Sequence, residues 1–265
     1  MMSQQLSKTQ WAQFETEGYL PLGAVLTNAE LAQLQQRIDD IMLGKALLDY
    51  DRMLMQLDSN TGKIADTGPQ TKGHKGATLN YRKIQDLEFD PLFLAAMQKP
   101  LFREICEKVH GKAAAIACFR AMFMNKPAGR GTFLAWHQDR WTDLDRDPVI
   151  TIWIALDPAT VANGCVQILP RTHHWLVNPD DSSGFLTPAQ AEAALAQAKP
   201  VFLKLQAGEA VLLHNWLLHA SDVNQSGIAR RAFSICYMDA VTKSKRGDQF
   251  SAIFGEGARQ PETVA

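Results

Sequence analysis

From about residue 113 the chain abandons helical spacing for short strand-like runs, and that change constrains its fold more than any other feature. The runs are 113–125, 149–156, 165–169, 201–205, 209–214 and 232–238. Turn formers divide them, among them Asn163-Gly164, Pro170 and Ala207-Gly208. Many short strands following a helical start point to one β-barrel or jelly roll with helices packed outside it.

The first 110 residues are mostly helical in pattern. Residues 6–17 form a short amphipathic stretch that Gly18 ends, and Tyr19-Leu20-Pro21-Leu22 reads as an edge strand. Thr27-Asn28-Ala29-Glu30 is a capping box: the hydroxyl accepts from the Glu30 amide while the carboxylate reaches back. Leu31, Leu34, Ile38 and Ile41 follow at helical spacing, and Gly44 suits the stop. Residues 57–77 are polar and rich in Gly, Ser and Thr, which predicts a long loop. Residues 91–97 and 100–109 read as two short helices. Thr187-Pro188 opens an Ala-rich helix to about Ala198, inserted between strands. The expectation is a single domain over 1–265, helical over about 1–110 with a β core over about 111–240.

Charge and cysteine usage exclude several classes. With 27 basic and 28 acidic residues among 265, the net charge is -1, and nothing favours nucleic acid or an anionic membrane as partner. The four cysteines contain no CxxC pair, so they read as free thiols in a reducing compartment. The N-terminus has no apolar signal core, and no uninterrupted apolar run of ~18 residues occurs. A cytoplasmic protein acting on a small molecule is the expectation.

Trp136-His137-Gln138-Asp139 is the central motif. Residues i and i+2 of a strand share a face, so His137 and Asp139 can hold one ion side by side. A third ligand must come from elsewhere, and His173, His174, His214 and His219 are the candidates. Two histidines and one carboxylate occupy three positions of an octahedron and leave three open. That suits non-haem iron(II) better than the closed tetrahedron preferred by zinc. His219 is followed eleven residues later by Arg230, across a polar turn. An arginine returning on the next strand can grip a carboxylate through a bidentate fork.

These pieces, in this order, resemble the phytanoyl-CoA dioxygenase-like family of iron(II)/2-oxoglutarate oxygenases. The resemblance runs over about residues 7–240. It rests on Trp-His-Gln-Asp at 136–139, Ile152-Trp153-Ile154-Ala155-Leu156, the Asn163-to-His173 run, Ala207-Gly208-Glu209-Ala210-Val211, and the block from His219 to Arg230. It implies a mainly β fold with flanking helices, a cupin-like jelly roll or double-stranded β-helix. It implies His137, Asp139 and His219 as iron ligands, and Arg230 as the residue that binds the far carboxylate of 2-oxoglutarate. Ser221 becomes a helper hydroxyl and Trp153 an aromatic lining the cosubstrate pocket. The implied activity is that of a dioxygenase using Fe(II), 2-oxoglutarate and O2, and releasing succinate and CO2. Asp139 supplies a full carboxylate ligand where halogenating relatives have a small residue, so hydroxylation is the implied outcome. The chain departs from the family at Arg171-Thr172, which replaces the usual Gly-Ser, and at Glu209, where the family often has Asp.

Other residues are candidates for contact with substrate. Arg120, Met122 and Met124 alternate on one strand face, and Arg120 reads equally as a substrate contact or a structural ion pair. Arg140 and Trp141 directly follow the metal motif. Tyr81 and Arg82 follow the long loop and could close over substrate. Arg231 rivals Arg230, but neighbours in a strand face opposite ways, so only one can face the interior. Two rival functions remain at this level: a metal-binding jelly roll without oxygenase activity, and a zinc hydrolase using the same ligands.

Overall fold

The computed structural model describes residues 5–261. Three of its five helices open with the same device. Ser7, Thr27 and Thr187 each accept a hydrogen bond from the backbone amide three residues on, and Gln10, Glu30 and Gln190 reciprocate. They launch α1 (Lys8–Glu17), α2 (Asn28–Met42) and, late in the chain, α5 (Pro188–Gln197). Between them lie α3 (Pro91–Met97) and α4 (Pro100–His110), each with proline in its first turn, where the missing N–H costs nothing. Gly18 ends α1 at φ 80°, and a Cβ there would meet the His173 ring at 2.5 Å.

Among the described residues, thirteen strands form two sheets. They are β1 (Tyr19–Ala24), β2 (Leu54–Leu57), β3 (Thr71–Lys72), β4 (Tyr81–Ile84), β5 (Ile116–Lys126), β6 (Leu134–His137), β7 (Ile150–Ala155), β8 (Val166–Ile168), β9 (Val201–Phe202), β10 (Glu209–His214), β11 (His219–Ser221), β12 (Arg230–Asp239) and β13 (Ser251–Phe254). The larger sheet runs β1-β10-β7-β12-β5-β4-β2-β3, with β13 also on β5; the smaller runs β6-β11-β8-β9. Consecutive partners are often far apart in sequence, as the jelly roll requires.

Alternation along β7 explains why all six of its residues are buried. Ile152 and Ile154 face α2, α3 and α4 in one apolar cluster with Leu34, Ile38, Phe93, Phe102, Phe233 and Ile235. Trp153 and Ala155 face the other way, into a second cluster with Val166, Ile168 and Leu217 of the smaller sheet and its loops. Helices therefore cover one face of the large sheet and the small sheet covers the other. Burying each large apolar side chain contributes about 1.5–3 kcal/mol. The sheet faces inward where chemistry can be enclosed.

The first 110 residues hold four α-helices, and strands beyond the edge strand expected at 19–22. Four strands lie there, and β1 to β4 extend both ends of the large sheet. Residues 57–77 are not structureless: they hold a 3-10 turn at Ile64–Asp66 and the short β3. Thr61 and Thr67 hydroxyls tie that segment to Asp66 and to the Ile64 carbonyl.

Candidate active site

Two short strands position the histidines. His137 ends β6 and His219 begins β11, and the two are direct partners across the antiparallel pair. Their rings lie 4.0 Å apart, centroid to centroid. Asp139 follows just beyond β6, with carboxylate oxygens 4.0 Å from His137 Nε2 and 3.9 Å from His219 Nε2. One ligand atom from each of the three residues falls within 4.8 Å of the others.

The ring tautomers follow from the backbone. His137 Nδ1 is 2.8 Å from the Ala135 carbonyl, and His219 Nδ1 is 2.9 Å from the Leu217 carbonyl. A carbonyl only accepts, so both Nδ1 atoms carry the proton and donate. Both Nε2 lone pairs are then free to point at a shared ion. Burial, then the adjacent His219 ring, push His137 down to about 3, so it is neutral and ready to ligate.

Gln138, between the two candidate ligands, holds them in place and is 1% exposed. Its side-chain NH2 faces the carbonyls of Thr172, Trp175 and Trp216 at 3.2, 2.9 and 2.5 Å, and its oxygen accepts from Val177 N at 2.7 Å. The Gln138 and Asp139 amides donate to the Gly184 and Asn215 carbonyls. Gly184 has φ 73°, and a Cβ there would sit 2.0 Å from the Gln138 carbonyl oxygen. Sequence reasoning missed Gln138 as a positioning residue. Only its place between two candidate ligands could have marked it.

The triad opens into a cavity of about 390 Å³ between the two sheets. Trp153, Ser221 and Arg230 line it with the triad, as do Arg82, Arg120, Arg140 and Trp141. Arg230 is 2% exposed, and its Nε and Nη1 have no hydrogen-bond partner. Burial pulls its guanidinium down to about 10, still charged at neutral pH. It lies 5.4 Å from the Trp153 ring centroid. Its rival Arg231 faces outward. That guanidinium is held by Asp157 at 2.8 Å and Asp39 at 2.6 Å.

The remaining candidates separate. Arg120 is in the cavity wall, stacked over Phe119 and Trp141 at 4.9 and 5.4 Å. Among the described residues it makes no ion pair, so the structural ion pair expected as one alternative is absent. Arg82 donates to Gln56 Oε1 at 2.9 Å while touching the cavity. Arg140 donates to the Pro179 carbonyl, and its Nε has no partner. Tyr81 is not brought to the site. Its side chain is in the core, and its hydroxyl is spent on Lys75 N and the Gly76 carbonyl at 2.7 and 2.9 Å. Lys83, one residue past Arg82, was missed and lines the cavity. Burial, then the Arg82 and Arg120 charges, push its ammonium down to about 7.

Arg171 has φ 69°, the left-handed conformation that a glycine adopts without strain. The side chain is anchored by Glu17, whose carboxylate accepts from Nε at 2.9 Å and Nη2 at 2.6 Å. The loop thus keeps a glycine-like path where glycine is missing.

The model for phytanoyl-CoA dioxygenase (PhyH) matches residues 14–232. Phytanoyl-CoA dioxygenase domain-containing protein 1 of Mus musculus is 25% identical over 268 residues, covering 89% of this chain and 91% of the mouse protein. EctD from S. alaskensis with bound Fe is similar in structure, with TM-score 0.71 and 18% identity over 90% of this chain and 79% of EctD. EctD with 2-oxoglutarate and 5-hydroxyectoine gives TM-score 0.69 and 17% identity over 96% and 82%. The structural likenesses carry the jelly-roll fold. The sequence match spans most of the helical start, the whole of the smaller sheet and every residue of the triad, and on it this chain belongs to the phytanoyl-CoA dioxygenase (PhyH) family.

Proposed function

We propose that this chain is an Fe(II)- and 2-oxoglutarate-dependent dioxygenase that hydroxylates an unactivated C–H bond of a small metabolite. His137, Asp139 and His219 would hold the iron. Arg230 would bind the far carboxylate of 2-oxoglutarate, with Ser221 as helper hydroxyl and Trp153 as the wall beside it. The observation that carries this reading is the pairing of two features in one cavity. A triad with two free Nε2 lone pairs faces the same space as a buried guanidinium with unpartnered nitrogens. A buried charge of this kind costs stability unless a partner arrives, and a carboxylate meets it in a bidentate fork. EctD, of like fold, is described with bound Fe and with 2-oxoglutarate.

Iron and 2-oxoglutarate together supply the oxidation, with O2 as the oxidant and succinate and CO2 as products. The protein's own part is positional. The two Nδ1–H donors fix the imidazole planes, Gln138 fixes the backbone between two ligands, and the sheets exclude bulk water. Among the described residues no helix is long and apolar enough to cross a membrane.

Adding Fe(II) and 2-oxoglutarate under anaerobic conditions is expected to give a weak visible charge-transfer band, lost in His137→Ala. No band in the wild type, with iron content unaffected by His137→Ala, would overturn the reading. Hydrolytic activity independent of O2 and 2-oxoglutarate would replace it with a zinc hydrolase.

A further inference from the structure

The cavity wall carries five basic side chains, Arg82, Lys83, Arg120, Arg140 and Arg230, against a single carboxylate, Asp139. On the reading proposed above, Asp139 is neutralised by the metal. The two carboxylates of 2-oxoglutarate are also accounted for, one at Arg230 and the other at the metal. Arg82 has Gln56 as partner and the Asp58 charge nearby. Arg140 has the Asp181 charge nearby and the Pro179 carbonyl as acceptor. That leaves Arg120 with no carboxylate paired to it, an arrangement that raises the local concentration of anions.

Arg120 is the centre of this excess. Its side chain is half-buried and makes no hydrogen bond or ion pair among the described residues. Its guanidinium is set by two aromatic rings, Phe119 and Trp141. Rings orient the guanidinium plane while leaving its N–H edge free, a preformed oxyanion fork. The rung Arg120–Cys236 is six residues of β5 away from the rung Lys126–Arg230. At about 3.3 Å per residue the two backbones are roughly 20 Å apart, so the arginines mark opposite ends of the cavity floor. Met122 and Met124 lie between them on the same face. Arg140 adds a second donor, its Nε buried and unpartnered.

Resting on the Fe(II)/2-oxoglutarate reading, we infer that the substrate is an organic oxyanion, a carboxylate or a phosphate ester, whose charged group binds Arg120 with Arg140 assisting. Its apolar body lies on Trp141 and Met122, and its reacting carbon is thereby held toward the triad. Arg120 and Arg140 are specificity residues here, distinct from the cosubstrate's Arg230.

The test uses protein loaded anaerobically with Fe(II) and 2-oxoglutarate, titrated calorimetrically with hexanoate, hexyl phosphate and hexanol. Both anions are expected to bind roughly tenfold or more tightly than hexanol, and whichever anion is preferred names the source of the charge. Arg120→Gln should abolish that preference, Arg120→Lys should retain most of it, and Arg140→Gln should weaken it. Equal binding of anion and alcohol, no binding of either anion at millimolar concentration, or a preference that survives in Arg120→Gln would overturn the inference. The charge-transfer band separates the two readings. Its absence in the wild type strikes the iron and 2-oxoglutarate assignment. A normal band without anion preference strikes only the substrate class. Should Arg120→Gln fail to fold, the Arg140→Gln and Arg120→Lys titrations decide: a weakened preference in the first with most of it kept in the second supports the inference, and an undiminished preference in Arg140→Gln overturns it.

Discussion

His137 and His219 stand opposite one another on β6 and β11, so the strand pair at one edge of the small sheet also sets two imidazole centroids 4.0 Å apart. His219→Ala is therefore expected to remove a ligand without unpairing the strands, because the backbone rung stays. Fe(II) affinity should fall by at least roughly 100-fold, while the thermal midpoint of the metal-free protein changes little. Iron content after dialysis and a melting curve without metal check both halves.

Gln138→Leu should be far more disruptive to the fold. It leaves the carbonyls of Thr172, Trp175 and Trp216 and the Val177 amide without their side-chain partner. Buried groups left unsatisfied cost about 1–3 kcal/mol each, so a total loss above about 3 kcal/mol is expected. Gln138→Glu should not rescue it, since a carboxylate cannot donate to carbonyls. Denaturant unfolding measures the loss, and a wild-type midpoint in either variant would refute the role.

Arg230→Ala should raise the apparent Kd for 2-oxoglutarate by roughly 100-fold, about 2.7 kcal/mol, as expected for a lost charge-assisted fork. Iron stoichiometry should be preserved. Arg231→Ala should act in the opposite manner. It leaves 2-oxoglutarate binding intact and lowers stability by freeing Asp157 and Asp39. Exchange of these two phenotypes would show that the strand faces the other way.

Glu88 offers a prediction remote from the site. It is 8% exposed with Oε2 unpartnered, and burial, reinforced by the charge of Asp86, pushes its carboxyl up to about 7. The folded chain thus holds a proton that the unfolded chain releases near its ordinary value of about 4.3. Folded-state proton excess makes stability fall as pH rises from about 4.5 to about 7, and level off above. Glu88→Gln should be more stable than wild type at pH 8, on the order of 3 kcal/mol, with no advantage below about pH 4.5. Denaturation curves across that range test the sign.

What could be read from the sequence was what repeats or caps. Thr27 and Thr187 announced their helices because a hydroxyl and an amide side chain or carboxylate three residues apart act locally. β5, β7, β10 and β12 were visible as apolar runs. β6 and β11 were not, since four and three residues with polar members carry no usable period. Those are the strands that hold the histidines, and the motif was found through side-chain chemistry instead. The basic cavity was hidden for a different reason. Arg82 and Lys83 sit on β4, Arg120 on β5 and Arg140 beyond β6, so no charge run exists until the sheets close. Tyr81 misled because its place beside a polar segment suggested a lid, whereas its ring fills the core.

The ends of the large sheet have a consequence for how this protein behaves in a crowded solution. At one end β1 carries Pro21, which has no amide to offer, and a register break between Pro21 and Gly23. At the other, β3 is only two residues long, and both are exposed. An unpaired strand edge is a template for strand addition by a neighbouring chain, and proline, irregularity and shortness are the usual defences. The main path of the large sheet is blunted at both ends, which opposes strand addition there while the face toward the small sheet stays covered.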